Sequence, residues 1–479
     1  MLQSQNLARR GPYDSLLNLF GKSGIKQRTE HVGGAGLVRG INKLDLAAIV
    51  FNSIIGASIF GLPANAYKLA NSYSLLALLT CALLIGLITL CFAEVSSRFT
   101  VGGGPYQYAR KAFGPVVGFE VGWLTWLTRL MGFAAVCNLF VTYLAHFSFF
   151  AMNSATTRGV MIAGLVACLT VINLVGVRET AVTNTVLAVG KITLFSFFTI
   201  AGMFYVDPQN FSFSKPPSPN EFSAAVTILI FSFTGFEGAV TVAGEARDPR
   251  RHYPVALLTV LGMITLLYIL IQVVCIGTLP NLAQSERPLA DASSRFLFLG
   301  AAGGTIITVG ALVSMFGTLH AGLLGLTRLP FAAAEQGSLP RVLAATHRRF
   351  KTPHVSILLS SGVILVLALT NSFISALKIA VITRLITYAV TCAGMPLLRR
   401  KKEVGRSAFT VPAGVAVSVV SLILCTWLLT NSSWPDVRDT GAVAALGLLL
   451  YFIFRPKSAA ENPTGAGESV PADADNIGA

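Results

Sequence analysis

The sequence predicts an all-α membrane protein with twelve transmembrane helices, and two observations support that prediction. The first is composition: of 479 residues, 53% are apolar and 12% are charged, and the mean hydropathy is +0.68. A soluble protein of this size cannot bury so much apolar surface. The second is length: nearly uncharged apolar runs recur, each able to cross the hydrocarbon layer as a helix of about 20 residues.

These runs define twelve candidate spans within one transmembrane domain, residues 41–456. The spans cover residues 43–69, 74–97, 115–149, 159–177, 181–206, 222–245, 254–279, 302–327, 354–370, 374–397, 409–430 and 438–454. The N-terminal tail (1–40) and the C-terminal tail (457–479) are polar, and we expect both to be disordered. The N-terminal tail also lacks the apolar core and the small-residue cleavage site of a signal peptide.

The net charge of +15 is compatible with a nucleic-acid partner, but its distribution along the chain predicts membrane topology instead. Most of the 36 lysines and arginines fall in the N-terminal tail, in every second loop and in the C-terminal tail. Six fall in the alternate loops: Lys68, Arg158, Lys215, Arg287, Arg295 and Arg438. Positively charged loops stay cytoplasmic, so we expect both termini on the cytoplasmic side of the plasma (inner) membrane. The same charges attract anionic membrane lipids.

The seven cysteines all lie in predicted spans and show no close spacing. They are Cys81, Cys91, Cys137, Cys168, Cys275, Cys392 and Cys425. We interpret them as small apolar packing residues rather than as disulfides or metal ligands. The sequence therefore predicts no metal site, assigns no cofactor and indicates no oligomeric state.

Helix-breaking residues interrupt the first span, in the stretch IIGASIFGLPANAYKLA at residues 54–70. Gly56 and Gly61 leave helical geometry at low steric cost, and Pro63 suits the first turn of a restarted helix. Lipid offers no hydrogen-bond partners, so an unwound stretch must be buried in protein or line a wet cavity. The restarted half-helix points free amides at the gap, which suits a carboxylate. A simple kink packed against a neighbouring helix is the alternative.

A second span, the sixth, is interrupted in the same way in ILIFSFTGFEGAVTVAGEARDP, residues 228–249. Thr234, Gly235 and Gly238 lie at its centre together with Glu237, an ionisable residue that is costly at membrane depth. Spans one and six are each the first of five. Paired interruptions at matching places in two halves indicate an inverted repeat with a site at the membrane midplane. The predicted architecture is therefore a 5+5 inverted repeat with discontinuous helices 1 and 6, plus two extra C-terminal helices.

Five stretches of the chain are similar to segments of one family of membrane proteins. IIGASIFGLPA and FSFTGFEGAVTVAGEARDPRRHYPVAL match its first-helix and sixth-helix breaks. AEVSSRFTVGGGPYQYARKAFGPVVGFEVGWLTWL, residues 93–127, matches its loop between helices two and three and is the most specific. TRLPFAAAEQGSLP and TRLITYAVTCAGMPLLRRKK match its eighth-helix exit and its tenth helix. Together they resemble the amino acid–polyamine–organocation (APC) superfamily, in its bacterial amino acid permease branch.

The resemblance implies an alternating-access transporter, not an enzyme, that holds an amino acid by main-chain groups. Amides at the first break would bind the substrate carboxylate, and carbonyls at the second break would bind its amino group. The amides are those of Gly56, Ala57, Ser58 and Ile59, and the carbonyls those of Phe231, Ser232 and Thr234. The resemblance also implies that the Phe231 ring closes over the bound molecule; ordinary packing is the alternative. Ser58 departs from the family, which has a glycine there, and so narrows the pocket or adds a hydroxyl.

Lys191 lies in the fifth span, in VLAVGKITLFSFF. It resembles a fifth-helix lysine of some family members, whose ammonium takes the place of a sodium ion beside the first-helix break. Burial lowers the pKa of a lysine, so Lys191 is a candidate for proton coupling. The alternative is that its side chain extends to the cytoplasmic edge of the membrane near Arg178.

Two other charged residues lie inside predicted spans near the proposed site, and each has two interpretations. Glu237 either carries a proton or accepts hydrogen bonds from unwound amides. Arg129, in WLTRLMGF of the third span, either binds an acidic substrate side chain or forms an ion pair with Glu237. If Arg129 faces the pocket, cationic substrates are disfavoured by about 1 kcal/mol or more at short range.

Two pairs of residues one helical turn apart are interpreted as structural. Arg384 and Tyr388 of span ten are expected to form hydrogen bonds to other helices. Glu94 and Arg98, at the end of span two, are expected to form an ion pair on the cytoplasmic surface or at an inner gate.

The sequence as a whole favours a plasma-membrane permease that takes up amino acids, with protons as the coupling ion. Within transporters, the alternative is an exchanger of amino acids or a carrier of another small amine. A non-transporting nutrient sensor on the same fold is disfavoured by the short tails, and a channel by two central breaks that suit an occluded site.

Overall fold

The computed structural model describes residues 43–99, 104–147, 154–176, 181–237, 249–335, 339–350, 352–401, 405, 407, 409–430 and 432–454. Within these ranges the regular secondary structure is entirely helical. Eight helical stretches are long and apolar enough to cross a membrane, and three further apolar helices are shorter. The predicted all-α membrane class is confirmed. Both predicted tails, 1–40 and 457–479, lie outside the described residues.

Fifteen α-helices are described, and we number them in chain order. They are α1 (Lys43–Ile54), α2 (Leu62–Ala70), α3 (Ser74–Ser97), α4 (Gly104–Phe113), α5 (Pro115–Leu144), α6 (Ala155–Val175), α7 (Ala181–Met203), α8 (Pro219–Ile230), α9 (Pro249–Thr278), α10 (Pro288–Ser293), α11 (Ala301–Glu335), α12 (His354–Thr370), α13 (Phe373–Arg400), α14 (Gly414–Thr430) and α15 (Trp434–Phe454). Short 3₁₀ turns connect several of them. Two of these turns, Ser58–Phe60 and Phe231–Phe233, lie at the predicted breaks.

Each of the twelve predicted spans overlaps a described helix, but four of them fall short of the length needed to cross a membrane unaided. The helices α1 and α8 have 12 residues each because a break ends them. The helices α12 and α14 have 17 residues each. The count of twelve crossings and the 5+5 repeat therefore stay predictions.

The two broken helices pack against each other and against longer helices. The half-helix α1 packs against α7 and α9, and α2 packs against α8. The helix α8 also contacts α3 and α13, while α13 and α11 both pack along α5. Because the 3₁₀ turns at the two breaks contact each other, unwound backbone from both helices meets in one place.

Buried aromatic rings surround both breaks. At the first break, the Phe60 ring packs against Phe195 with centroids 5.2 Å apart. Beside the second break, Phe92 lies edge-on to Phe236 and to Tyr388, at 5.3 and 5.4 Å. Aromatic pairs of this kind stabilise packing beyond the area they bury, so they support the structure beside the unwound backbone.

Candidate functional site

The first helix ends at Ile54 because the backbone turns sharply there. The amide of Gly56 donates to the carbonyl oxygen of Ile54 at 2.8 Å, only two residues back, where an α-helix would use the residue four back. The chain then forms a 3₁₀ turn, in which the Phe60 amide donates to the oxygen of Ala57 at 3.1 Å. The predicted break in the first span is confirmed.

Three consecutive amides in this break are left without an acceptor. Within the described residues, no oxygen accepts a hydrogen bond from the amides of Ala57, Ser58 and Ile59, and all three residues are buried. Unpaired buried amides are costly and rare, and a run of them forms a concave site for an anion. Of the four amides predicted to bind a carboxylate, only that of Gly56 is occupied.

The second break is paired far more completely. The carbonyl oxygen of Phe231 accepts a hydrogen bond from the Thr234 hydroxyl at 2.7 Å. The carbonyl oxygen of Ser232 accepts one from the Tyr268 hydroxyl at 3.0 Å. The Phe231 oxygen also accepts from the Thr234 amide at 3.4 Å. A carbonyl oxygen has two lone pairs, so that of Ser232 can accept a second donor. The Ser232 hydroxyl is buried and has no partner among the described residues.

Glycine is required where the two breaks touch. Gly235 has a φ of 110°, which disfavours any residue with a Cβ. A Cβ at this position would also collide with the carbonyl oxygen of Ser53, in the last turn of α1. The ring of Phe231 lies against α5, where a Cβ added to Gly132 would be 3.4 Å from its Cε2 atom.

The Lys191 ammonium lies at the first break. Its Nζ donates to the carbonyl oxygen of Ile55 at 2.9 Å, to Oδ1 of Asn52 at 2.9 Å and to Oγ1 of Thr318 at 3.4 Å. The side chain is buried, and it connects α7 to the end of α1 and to α11. A cation is favoured where a helix ends in free carbonyls. This placement matches the interpretation that puts Lys191 beside the break, not the one that extends it to the membrane edge.

Glu237 accepts hydrogen bonds from both its own break and a neighbouring helix. Its Oε2 accepts from the Gly235 amide at 3.0 Å and from the Tyr388 hydroxyl at 3.1 Å. Its Oε1 lies 3.3 Å from Nε of Arg384. The acceptor role is therefore present in the structure. The predicted hydrogen bond of Tyr388 to another span is present, whereas Arg384 contacts the same carboxylate as an ion pair.

The expected ion pair between Arg129 and Glu237 is wrong, because Arg384 is the partner of that carboxylate. The Arg129 guanidinium instead lies against α11, with its Nη1 3.5 Å from a Cβ placed on Gly325. Among the described residues, Glu237 and Arg384 lie close enough to act on it electrostatically. Among the described residues, Arg129 forms neither a hydrogen bond nor an ion pair.

A second buried carboxylate, that of Glu94, lies away from the breaks. Its main partner, Arg399, was not predicted from the sequence. Glu94 is fully buried, not at the surface. Arg399 binds it with two hydrogen bonds, at 2.7 and 2.6 Å, and Arg98 adds the expected pair at 3.1 Å. The Val411 amide also donates to it at 2.8 Å. The charge of Glu94 is thus fully compensated, and we assign it a structural role.

Main-chain dipoles and fixed charges define the chemistry available at the breaks. Within the described part of the chain, no three His, Cys, Asp or Glu side chains gather closely enough to hold a metal ion. Free amides suit a carboxylate, carbonyl oxygens suit an ammonium, and the two lie on backbones that touch. This arrangement suits a small molecule that carries both groups.

Comparison with known proteins gives a family. The family model described as amino acid permease matches residues 41–454. The chain belongs to the amino acid permease family. The predicted resemblance to the APC superfamily is confirmed, and this permease is a multi-pass membrane transporter.

Several curated proteins of Bacillus subtilis are similar to this permease over nearly their whole length. The methylthioribose transporter is 27% identical over 92% of this chain and 98% of its own. The branched-chain amino acid permease is 23% identical over 92% of this chain and 98% of its own. The serine/threonine exchanger is 25% identical over 87% of this chain and 96% of its own. These relatives are all transporters, although their named substrates differ.

Proposed function

We propose that this permease is a secondary active transporter that carries amino acids across the plasma membrane by alternating access. One observation supports the proposal most directly: three adjacent buried amides, those of Ala57, Ser58 and Ile59, have no acceptor in the part of the chain that the structure describes. A substrate carboxylate would satisfy all three at once. Hydrogen bonds to a charged acceptor are about twice as strong as neutral ones, so the site favours a carboxylate over a neutral oxygen.

The rest of the substrate would extend from the first break to the second. Its ammonium would bind the carbonyl oxygens of Phe231, Ser232 and Thr234. Among the described residues, the Ser232 oxygen has one donor and can accept a second. The Phe231 ring would cover the bound molecule from the side of α5. The Ser58 hydroxyl would add a donor beside the carboxylate, or would restrict the size of the side chain that follows.

Proton coupling would act through Lys191. Its ammonium donates to three neutral oxygens, those of Ile55, Asn52 and Thr318. Burial favours loss of the proton, and loss would weaken the contact between α7 and the end of α1. Protonation would thus be linked to the position of the first half-helix, which holds the substrate site.

The topology that we propose for this cycle is the predicted one. Twelve helices would form a 5+5 inverted repeat with two additional C-terminal helices, and both termini would be cytoplasmic. One set of helices would rock against the other and expose the midplane site to each side in turn.

Two other transport functions have a specific basis in the relatives. Similarity to the serine/threonine exchanger favours exchange instead of net uptake. Similarity to the methylthioribose transporter favours a cargo that has no carboxylate to bind the free amides. The experiment below therefore includes an arm for each alternative.

The test is transport by the full-length protein reconstituted in lipid vesicles. Labelled amino acids are screened with an inward proton gradient, without a gradient, and with unlabelled amino acid preloaded inside. We expect gradient-driven uptake, competition by other free amino acids, and no competition by amino acid amides, whose carboxylate is blocked. Equal competition by the amides, or by methylthioribose alone, would contradict carboxylate binding. Transport only into preloaded vesicles would replace uptake with exchange.

A further inference from the structure

Among the described residues, the charged side chains beside the second break do not balance. They are Arg129, Arg384 and Glu237. Two of these side chains carry a positive charge, and one carries a negative charge. Unbalanced charge in an apolar interior is unfavourable unless a further ion of opposite sign is bound.

The two arginines also keep unused hydrogen-bond donors. The Arg384 side chain is 11% exposed, and its Nε lies 3.3 Å from Oε1 of Glu237. Its Nη1 is buried and has no partner among the described residues. Arg129 has neither a hydrogen bond nor an ion pair in the described part of the chain. A planar guanidinium with free N–H groups matches the two oxygens of a carboxylate.

From this excess of cations we infer that the cargo has a second carboxylate, which binds Arg129 and the free Nη1 of Arg384. The substrate class is then the acidic amino acids. This inference rests on the proposed function, because it needs the first carboxylate at the amides of the first break. It assigns Arg129 and Arg384 as the residues that determine specificity.

The helix α11 gives the distance that such a cargo has to bridge. Near its middle, Thr318 touches the first break: a Cβ on Gly56 would lie 4.0 Å from its Cγ2 atom. Two turns later, Gly325 touches the guanidinium of Arg129. Residues seven apart share a helix face and are separated by about 10 Å along the axis. A five-carbon diacid of about 6 Å, with a hydrogen bond of about 3 Å at each end, spans about 12 Å.

The position of Phe231 agrees with this path. Its ring lies against Gly132, which is one helical turn from Arg129 on α5. A substrate side chain that passes the Phe231 ring would therefore reach the Arg129 guanidinium next. A neutral cargo would leave Arg129 without an ion pair among the described residues, and a cationic cargo would be repelled by it.

The test compares cargoes that differ in charge but hardly in shape. Binding of glutamate, glutamine and ornithine to the purified full-length protein is measured by displacement of a labelled amino acid. We expect glutamate to bind at least about tenfold more tightly than glutamine, with ornithine weakest, because a paired guanidinium prefers an ionised acceptor. In Arg129→Gln the preference for glutamate should fall severalfold, and Arg129→Lys should keep part of it.

The matched control is Arg438→Gln, which removes an exposed arginine of α15 and should keep the wild-type preference. Thermal unfolding of each variant shows whether it is folded. If Arg129→Gln does not fold, the order of the three ligands on the wild-type protein decides alone. Glutamine binding as well as glutamate would overturn the inference but leave the proposed function intact. No binding of any amino acid would overturn the proposed function itself.

Discussion

The two helix breaks touch each other, yet they handle unpaired backbone in opposite ways. At the first break, three amides have no acceptor among the described residues, and Lys191 donates to the carbonyl oxygen of Ile55. At the second break, hydroxyls bind two carbonyl oxygens, and the carboxylate of Glu237 accepts from the Gly235 amide. The first break is built to receive a partner, whereas the second is already supported by the protein.

This difference assigns separate tasks to the two regions. Free donors make the first break incomplete without a ligand, so its geometry should respond to binding and to the charge on Lys191. The side chains that support the second break hold its backbone in place. We therefore expect the second break to stay fixed while the backbone of the first break moves. Three substitutions test this division, and they follow in order of their expected effect on stability.

The largest effect is expected for Gly235→Ala, because the contact between the breaks leaves no room for a Cβ. The positive φ and the collision with Ser53 together should cost about 3 kcal/mol or more. We expect a strongly lowered melting temperature in detergent and no measurable uptake. Gly262→Ala is the control, since its added Cβ meets no atom within 4 Å. Wild-type stability in Gly235→Ala would show that the two breaks do not depend on this contact.

A smaller loss of stability is expected for Glu237→Gln, which keeps the shape of the side chain but removes its charge. Arg384 would then lack its counter-ion, at a cost of about 3 kcal/mol. Glu286→Gln, in an exposed loop, should change the melting temperature very little. The double variant Glu237→Gln/Arg384→Gln should recover part of the loss. Strictly additive effects in this cycle would argue against the ion pair as the support of the second break.

The smallest effect on stability, but a decisive effect on coupling, is expected for Lys191→Met. Two oxygens at the first break lose their donor, which should cost about 1–3 kcal/mol. Stimulation of uptake by a proton gradient should disappear, because the titrating group is gone. Lys378→Met, on α13, is the matched control and should keep that response. A normal gradient response in Lys191→Met would remove Lys191 from coupling.

The sequence was sufficient to place both breaks, because glycine and proline have effects that depend on local backbone geometry. Gly56 and Gly235 lie where the helices end, and Pro63 lies in the first turn of α2. Lys191 could also be placed, since helical rise alone puts it deep in its span. These inferences needed no knowledge of how the helices are arranged around one another.

Pairings between distant helices could not be predicted in the same way. Two arginines of different helices, Arg129 and Arg384, were compatible with Glu237, and the sequence gives no helix rotation that separates them. The ion pair between Glu94 and Arg399 joins residues 305 positions apart, so no local sequence pattern predicts it. The number of membrane crossings was also harder to predict than the positions of the apolar segments. Hydropathy alone does not show where a helix ends within such a segment.

The ion pairs and hydrogen bonds of Glu94 have a consequence for how this permease moves. They join the end of α3 to the end of α13 and to Val411, three residues before α14 begins. These three segments should therefore travel as one rigid body when the site opens and closes. Hinges must lie elsewhere, and a chemical cross-link placed beside Glu94 between α3 and α13 should leave the transport cycle running.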